Sequence, residues 1–136
     1  LGGEFEQWKR DMTRIVDQAN AKSGEVPVEF WDFSGCSVYS TEAVPTDSER
    51  NQVMRWYVDP SHYSVELGNI MLDRLLGKAG ESAFGNRLTA SSIEAALEEQ
   101  RSARERFRHR NPVLIKLIEN NIFQYGQKRG KDCKGN

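Results

Sequence analysis

The chain has 136 residues, enough for one domain with one modest core. With 29% charged and 38% hydrophobic residues and a formal net charge of -1, it has the composition of a globular protein and lacks a general nucleic-acid surface. Its apolar runs are too short to span a bilayer. Its first residue is Leu1, not Met, so it is read as a processed or truncated piece, with room for an upstream leader or membrane tether.

Phe5 to Ala21 places Phe5, Trp8, Met12, Ile15, Val16 and Ala19 at helical spacing. This predicts a helix with one buried stripe, stopped at Ser23 and Gly24. Val26 to Phe33, "VPVEFWDF", is a compact apolar and aromatic run that reads as a strand with Pro27 at its start. A helix feeding a buried strand is the ordinary unit of an α/β sheet. Ser34 to Asn51 is polar and rich in turn formers, a long loop with an extended piece near Val38 and Tyr39.

At Asp59-Pro60 a helix is expected to open, with Asp59 as N-cap and Pro60 as its first residue. It should run to about Leu76 with Val65, Gly68, Met71, Leu72 and Leu75 near one face. Lys78 to Arg87 reads as a linker. A long helix follows, capped by Thr89 or by a Ser91–Glu94 capping box, and ended by Pro112, which opens another helix to about Gly126. Residues 127–136 form a polar tail expected to be unstructured. The domain boundaries are thus 1–77, 78–126 and 127–136.

Two cysteines, Cys36 and Cys133, match no metal spacing and make no disulfide framework. His62 and His109 are the only histidines, so no metal site is expected. Asp59 and His62 are the candidate catalytic pair. A carboxylate three residues before a histidine can hold Nδ1 and leave Nε2 facing a nucleophile. The plain alternative is a cap and a surface histidine. Ser34, Ser61 and Cys36 are weak candidates for the nucleophile; Ser34 and Cys36 lie in "DFSGC", which lacks the nucleophile-elbow pattern. The aromatic residues Phe30, Trp31, Phe33, Tyr39, Trp56, Tyr57 and Tyr63 are read first as core. Arg101, Arg104 and Arg108 share a helix face and are read as solvated ion-pairing groups.

"DPSHYSVELG" before an amphipathic helix resembles the last conserved block of SGNH-type (GDSL-like) hydrolases and acyltransferases. "FWDFSGCSVYSTEAVP" and "NRLTASSIEAALEEQRSARERF" are similar to flanking parts of bacterial envelope-associated members, so the likeness covers about Phe5 to Ile118. It implies the C-terminal part of a three-layer α/β (flavodoxin-like) sandwich, helix-rich with little strand, plus a helical extension. It also implies an ester or acylated-glycan substrate, no cofactor, and a periplasmic or membrane-tethered setting. His62 would be the base and Asp59 its orienting acid. The family's nucleophile lies in a Gly-Asp-Ser block that this sequence lacks. The competing expectation is a non-catalytic helical interaction module. A piece of a larger sheet should also expose apolar surface and associate with itself through it.

Overall fold

The computed structural model describes residues 2–22, 26–45, 52–59, 61–78 and 84–132, with side chains for 3–122 of these. The stops expected at Ser23 and Gly24, Pro60 and Cys133 lie outside the described residues. Among the described residues the chain is helix-rich: α1 (Gly2–Lys22), β1 (Phe30–Asp32), α2 (Val65–Leu75), β2 (Asn86–Leu88), α3 (Ile93–Arg110) and α4 (Pro112–Asp132). The two strands pair antiparallel, with Phe30 opposite Leu88, Trp31 opposite Arg87 and Asp32 opposite Asn86.

The strand expected over Val26–Phe33 is therefore shorter. Its beginning is drawn off by α1: the Asn20 side-chain amide donates to the Val28 carbonyl at 2.9 Å, and its oxygen accepts the Val28 N–H at 2.8 Å. Both backbone groups of Val28 are satisfied by one side chain, so no ladder is needed there. The linker expected over Lys78–Arg87 ends instead in β2. Gly85, immediately before that strand, takes φ +87, a conformation that glycine adopts freely. The piece around Val38 and Tyr39 is a turn, not extended, closed by the Thr41 N–H on the Ser37 carbonyl at 3.0 Å.

α1 lies with its polar side inward, which reverses the expectation of one buried apolar stripe. Lys9 and Thr13 are 3% and 2% exposed, whereas Phe5 and Trp8 are half-exposed at 51% and 49%. Charge explains the orientation. Lys9 meets Asp32 of β1, Arg10 binds Glu94 of α3 through two hydrogen bonds of 2.6 and 3.0 Å, and Glu6 pairs with Arg101 of α3. Among the described residues apolar burial is confined to a small cluster of Leu88, Ile93 and Leu97, with Phe30 and Ala96 against it, plus Leu67 and Phe84 elsewhere.

β1 has helices on both faces. Phe30 and Asp32 face α1 and α3, through the Trp8–Phe30 edge contact at 6.1 Å and the hydrogen bond from Gln100 to Asp32. Trp31 faces α2, whose Arg74 guanidinium lies 5.4 Å from its ring. At the α3 entry Thr89, one of the two expected caps, is used, and the Ser91–Glu94 box is not. Thr89 and Ser92 satisfy each other's N–H groups, at 2.9 and 3.2 Å, while Glu94 is engaged by Arg10 instead of closing a box with Ser91.

The chain divides into two compact units, Leu1–Ala103 and Arg104–Asn136. The first takes in β2 and the start of α3, both of which fall within the helical extension expected over 78–126. In the second, Asn111 separates α3 from α4; its side-chain amide donates to the Phe107 carbonyl at 3.0 Å, and Pro112 starts α4 as expected. The helix continues to Asp132, through most of the tail expected to be unstructured. Arg108 pairs with Glu119 at 3.1 Å, Arg101 with Glu98 at 3.0 Å, and Arg104 approaches Glu105 at 4.0 Å. Among the described residues no helix is long and apolar enough to cross a membrane, and no group of acidic, His or Cys residues could hold a metal ion.

Candidate functional site

Asp59 and His62 lie where the chain reverses between Tyr57 and Tyr63, not in the first turn of a helix. Tyr57 and Tyr63 form an antiparallel bridge, and the Val58 N–H reaches the His62 carbonyl at 2.9 Å. The Ser64 N–H reaches the Trp56 carbonyl at 2.8 Å. α2 begins only after this turn. Ser64, in extended conformation, is its N-cap and accepts the Leu67 N–H at 3.3 Å. Asp59 therefore does not cap α2. The inward residues of α2 are also displaced from those expected: Leu67 is buried and Val65 is exposed.

Asp59 uses both carboxylate oxygens. Oδ1 accepts the N–H groups of Ser61 at 2.7 Å and His62 at 2.9 Å. Oδ2 lies 2.7 Å from His62 Nδ1. The Ser61 N–H, followed by the His62 ring, holds the Asp59 carboxyl below its ordinary range. With Nδ1 facing the carboxylate, the natural tautomer carries the proton on Nδ1 and leaves the Nε2 lone pair outward. The His62 side chain is 75% exposed. Among the described residues, Asp59 is the hydrogen-bond partner of the ring.

Three further residues position this turn. Glu42 accepts the N–H groups of Arg55 and Trp56, at 2.6 and 2.9 Å, and so ties the preceding loop to the segment that leads into the turn. Arg55 lies over the Trp56 ring at 4.3 Å and also binds Glu66 of α2. Gly68 lets Tyr63 lie close on α2: a Cβ there would stand 3.2 Å from the Tyr63 ring.

The candidate nucleophiles are not brought to His62. Ser61 is exposed, and its N–H is engaged by Asp59. Ser34 lies in a different polar cluster. The Lys9 ammonium donates to Asp32 at 2.7 Å, to the Ser34 hydroxyl oxygen at 2.7 Å and to the Gln100 carbonyl oxygen at 2.8 Å. Its three protons are thereby used, so it is no base for Ser34. Asp32 also accepts the Ser34 N–H at 2.9 Å and the Gln100 amide at 2.8 Å. Burial pushes the Asp32 carboxyl up, but Lys9, Gln100 and Ser34 together outweigh it and hold it below the usual range. Cys36 is a half-buried free thiol.

The aromatic residues expected to form core do so in part. Tyr39 packs on Phe84 at 4.6 Å and on Trp56 at 4.8 Å, and Phe33 on Phe84 at 5.3 Å. Phe84, the hub of this set, was not singled out in the sequence; nor were Lys9, Gln100 and Glu42. Each is a solitary residue whose partners are distant along the chain, so no local spacing marks it. Comparison with family models, with curated proteins and with solved structures finds no match to this chain.

Proposed function

We propose that this chain carries the acid–base half of an SGNH-type serine hydrolase or O-acyltransferase that acts on an ester of a cell-envelope glycan. The observation that supports it is the His62 Nδ1 to Asp59 Oδ2 contact of 2.7 Å on a turn that leaves Nε2 outward. In this reading a serine supplied by another polypeptide segment gives its proton to Nε2 as its oxygen attacks the ester carbonyl. The imidazolium, stabilised by Asp59, returns that proton to the departing alcohol. A water or an acceptor hydroxyl then repeats the sequence to release the acyl group from the serine. The helices on both faces of β1 fit the edge of a three-layer α/β sandwich.

A second reading has its own observation. Asp59 Oδ1 is engaged by two turn N–H groups, and His62 is largely solvated. A turn-stabilising aspartate in a non-catalytic interaction module would have the same contacts.

Fluorophosphonate labelling with mass mapping tests the choice. The chain alone is expected to stay unlabelled. A longer polypeptide that joins it to a Gly-Asp-Ser block is expected to label at that serine, and His62→Ala should abolish the label. Labelling that survives His62→Ala, or none in the joined protein, overturns the catalytic reading.

A further inference from the structure

Among the described residues β1 pairs with β2 alone, and its other edge lies in a groove of about 360 Å³. Five consecutive residues, Phe30 to Ser34, line it, and no residue of β2 does. Its lining draws on the helices at both faces of β1 and meets the β2 side only at Phe84, before that strand begins, so it runs along the side of β1 turned away from β2. Phe5 and Trp8 of α1 form one wall, and Leu67 and Met71 of α2 form the other. These helices cover opposite faces of β1, so the groove between them has the form of the next position in the sheet. In an antiparallel pair, every second residue turns its N–H and C=O away from the partner strand. β1 thus presents main-chain donors and acceptors into a slot with aromatic and aliphatic walls.

We infer that this groove accepts a third strand: an extended, uncharged segment of a partner polypeptide, apolar on both of its faces. Charge supports this occupant. Among the described lining residues the ionised groups are Lys9 and Asp32, which neutralise each other at 2.7 Å and have no capacity left for a charged guest. Walls on both sides call for side chains that are apolar in both directions, the pattern of a strand buried within an α/β sheet. Exposed main-chain edges bind such segments by strand addition. The half-exposure of Phe5 and Trp8 follows, because these rings form the wall such a segment would cover. The inference rests on the groove and not on the Asp59–His62 pair.

The test uses the whole chain and a capped heptapeptide of Val, Ile and Ala flanked by lysines, beside its alternately N-methylated analogue. Amide hydrogen exchange over residues 30–33 is read by NMR, the Ser34 N–H being already held by Asp32. The plain peptide is expected to slow alternate amides by at least about ten-fold, and the N-methylated one to leave them unchanged. Trp8→Glu, and independently Phe5→Glu, should weaken the effect by about ten-fold or more. Three results would overturn the inference. The first is that neither peptide protects β1; the second is that both bind equally without protecting it, which describes a pocket for small apolar molecules. The third is that β1 becomes protected in the chain alone as its concentration rises, which makes a second copy the occupant. If the strand adds but the fluorophosphonate experiment fails, the docking edge stands and the hydrolase reading falls.

Discussion

Lys9 of α1 and Asp32 of β1 form a buried ion pair at 2.7 Å, with every proton of the ammonium engaged. Such a pair is costly to break from one side, because the remaining charge is stranded away from water. Asp32→Ala is expected to destabilise the chain by about 3–5 kcal/mol in urea unfolding. The double variant Lys9→Met/Asp32→Leu should recover most of that loss. A double variant as unstable as Asp32→Ala would show that the contribution lies in the Gln100 and Ser34 bonds instead. The sign with pH follows from the depressed Asp32 carboxyl. Its contribution is present above the unfolded-state value and fades as pH falls through the lower folded value. Wild-type stability should therefore drop in acid, and the double variant should drop less.

Asp59 titrates below its ordinary range chiefly through the Ser61 N–H and secondarily through the His62 ring. Carbon-detected NMR titration of His62→Ala should show the carboxyl still depressed, though less than in wild type. A return to the ordinary value would mean that the ring, rather than the turn, holds the carboxylate. By the same sign rule as for Asp32, whatever Asp59 contributes to the turn is lost only in acid, as pH falls through its folded value.

Ser64 is the cap of α2, and Asp59 is not. Ser64→Ala is expected to cost about 1 kcal/mol and to fray the first turn of α2. Asp59→Ala should leave α2 amide exchange unchanged while loosening residues 57–63. If Asp59→Ala frays α2 as much as Ser64→Ala does, the turn and the helix are one cooperative element.

Gly85 combines a positive φ with a close approach, since an added Cβ would overlap the Phe33 ring. Gly85→Ala is expected to destabilise by at least about 1–3 kcal/mol, and to disturb the Phe33 and Phe84 ring resonances first. Gly77, also at positive φ but with open space around it, should cost less on the same substitution. Equal losses at both positions would assign the effect to backbone conformation alone.

Local signals in the sequence agree with the structure where neighbours along the chain decide it. The periodicity of α1, the extended "FWD", the Pro112 start and the Asp59–His62 spacing all belong to that kind. The sequence misled where long-range polar partners decide. An amphipathic helix ordinarily buries its apolar stripe, yet Lys9, Arg10 and Glu6 find Asp32, Glu94 and Arg101 and turn α1 the other way. Asp59 was read as a helix cap because Asp-Pro is a common opening. The Tyr57–Tyr63 bridge, which makes a turn of it, depends on residues that carry no turn signature. β2 was missed because "NRL" pairs only through its register with β1.

The inward polar face of α1 has a calorimetric consequence. Heat capacity of unfolding comes from apolar surface newly exposed to water, and polar exposure subtracts from it. Among the described residues only Leu67, Phe84, Leu88, Ile93 and Leu97 are buried hydrophobics. The chain alone should therefore unfold with a smaller heat-capacity increment per residue than an ordinary domain of its length, and with a shallow dependence on urea. Filling the β1 groove would reverse this balance. Phe5 and Trp8 would pass from water into contact, and association would carry a negative heat-capacity change out of proportion to the few hydrogen bonds it makes.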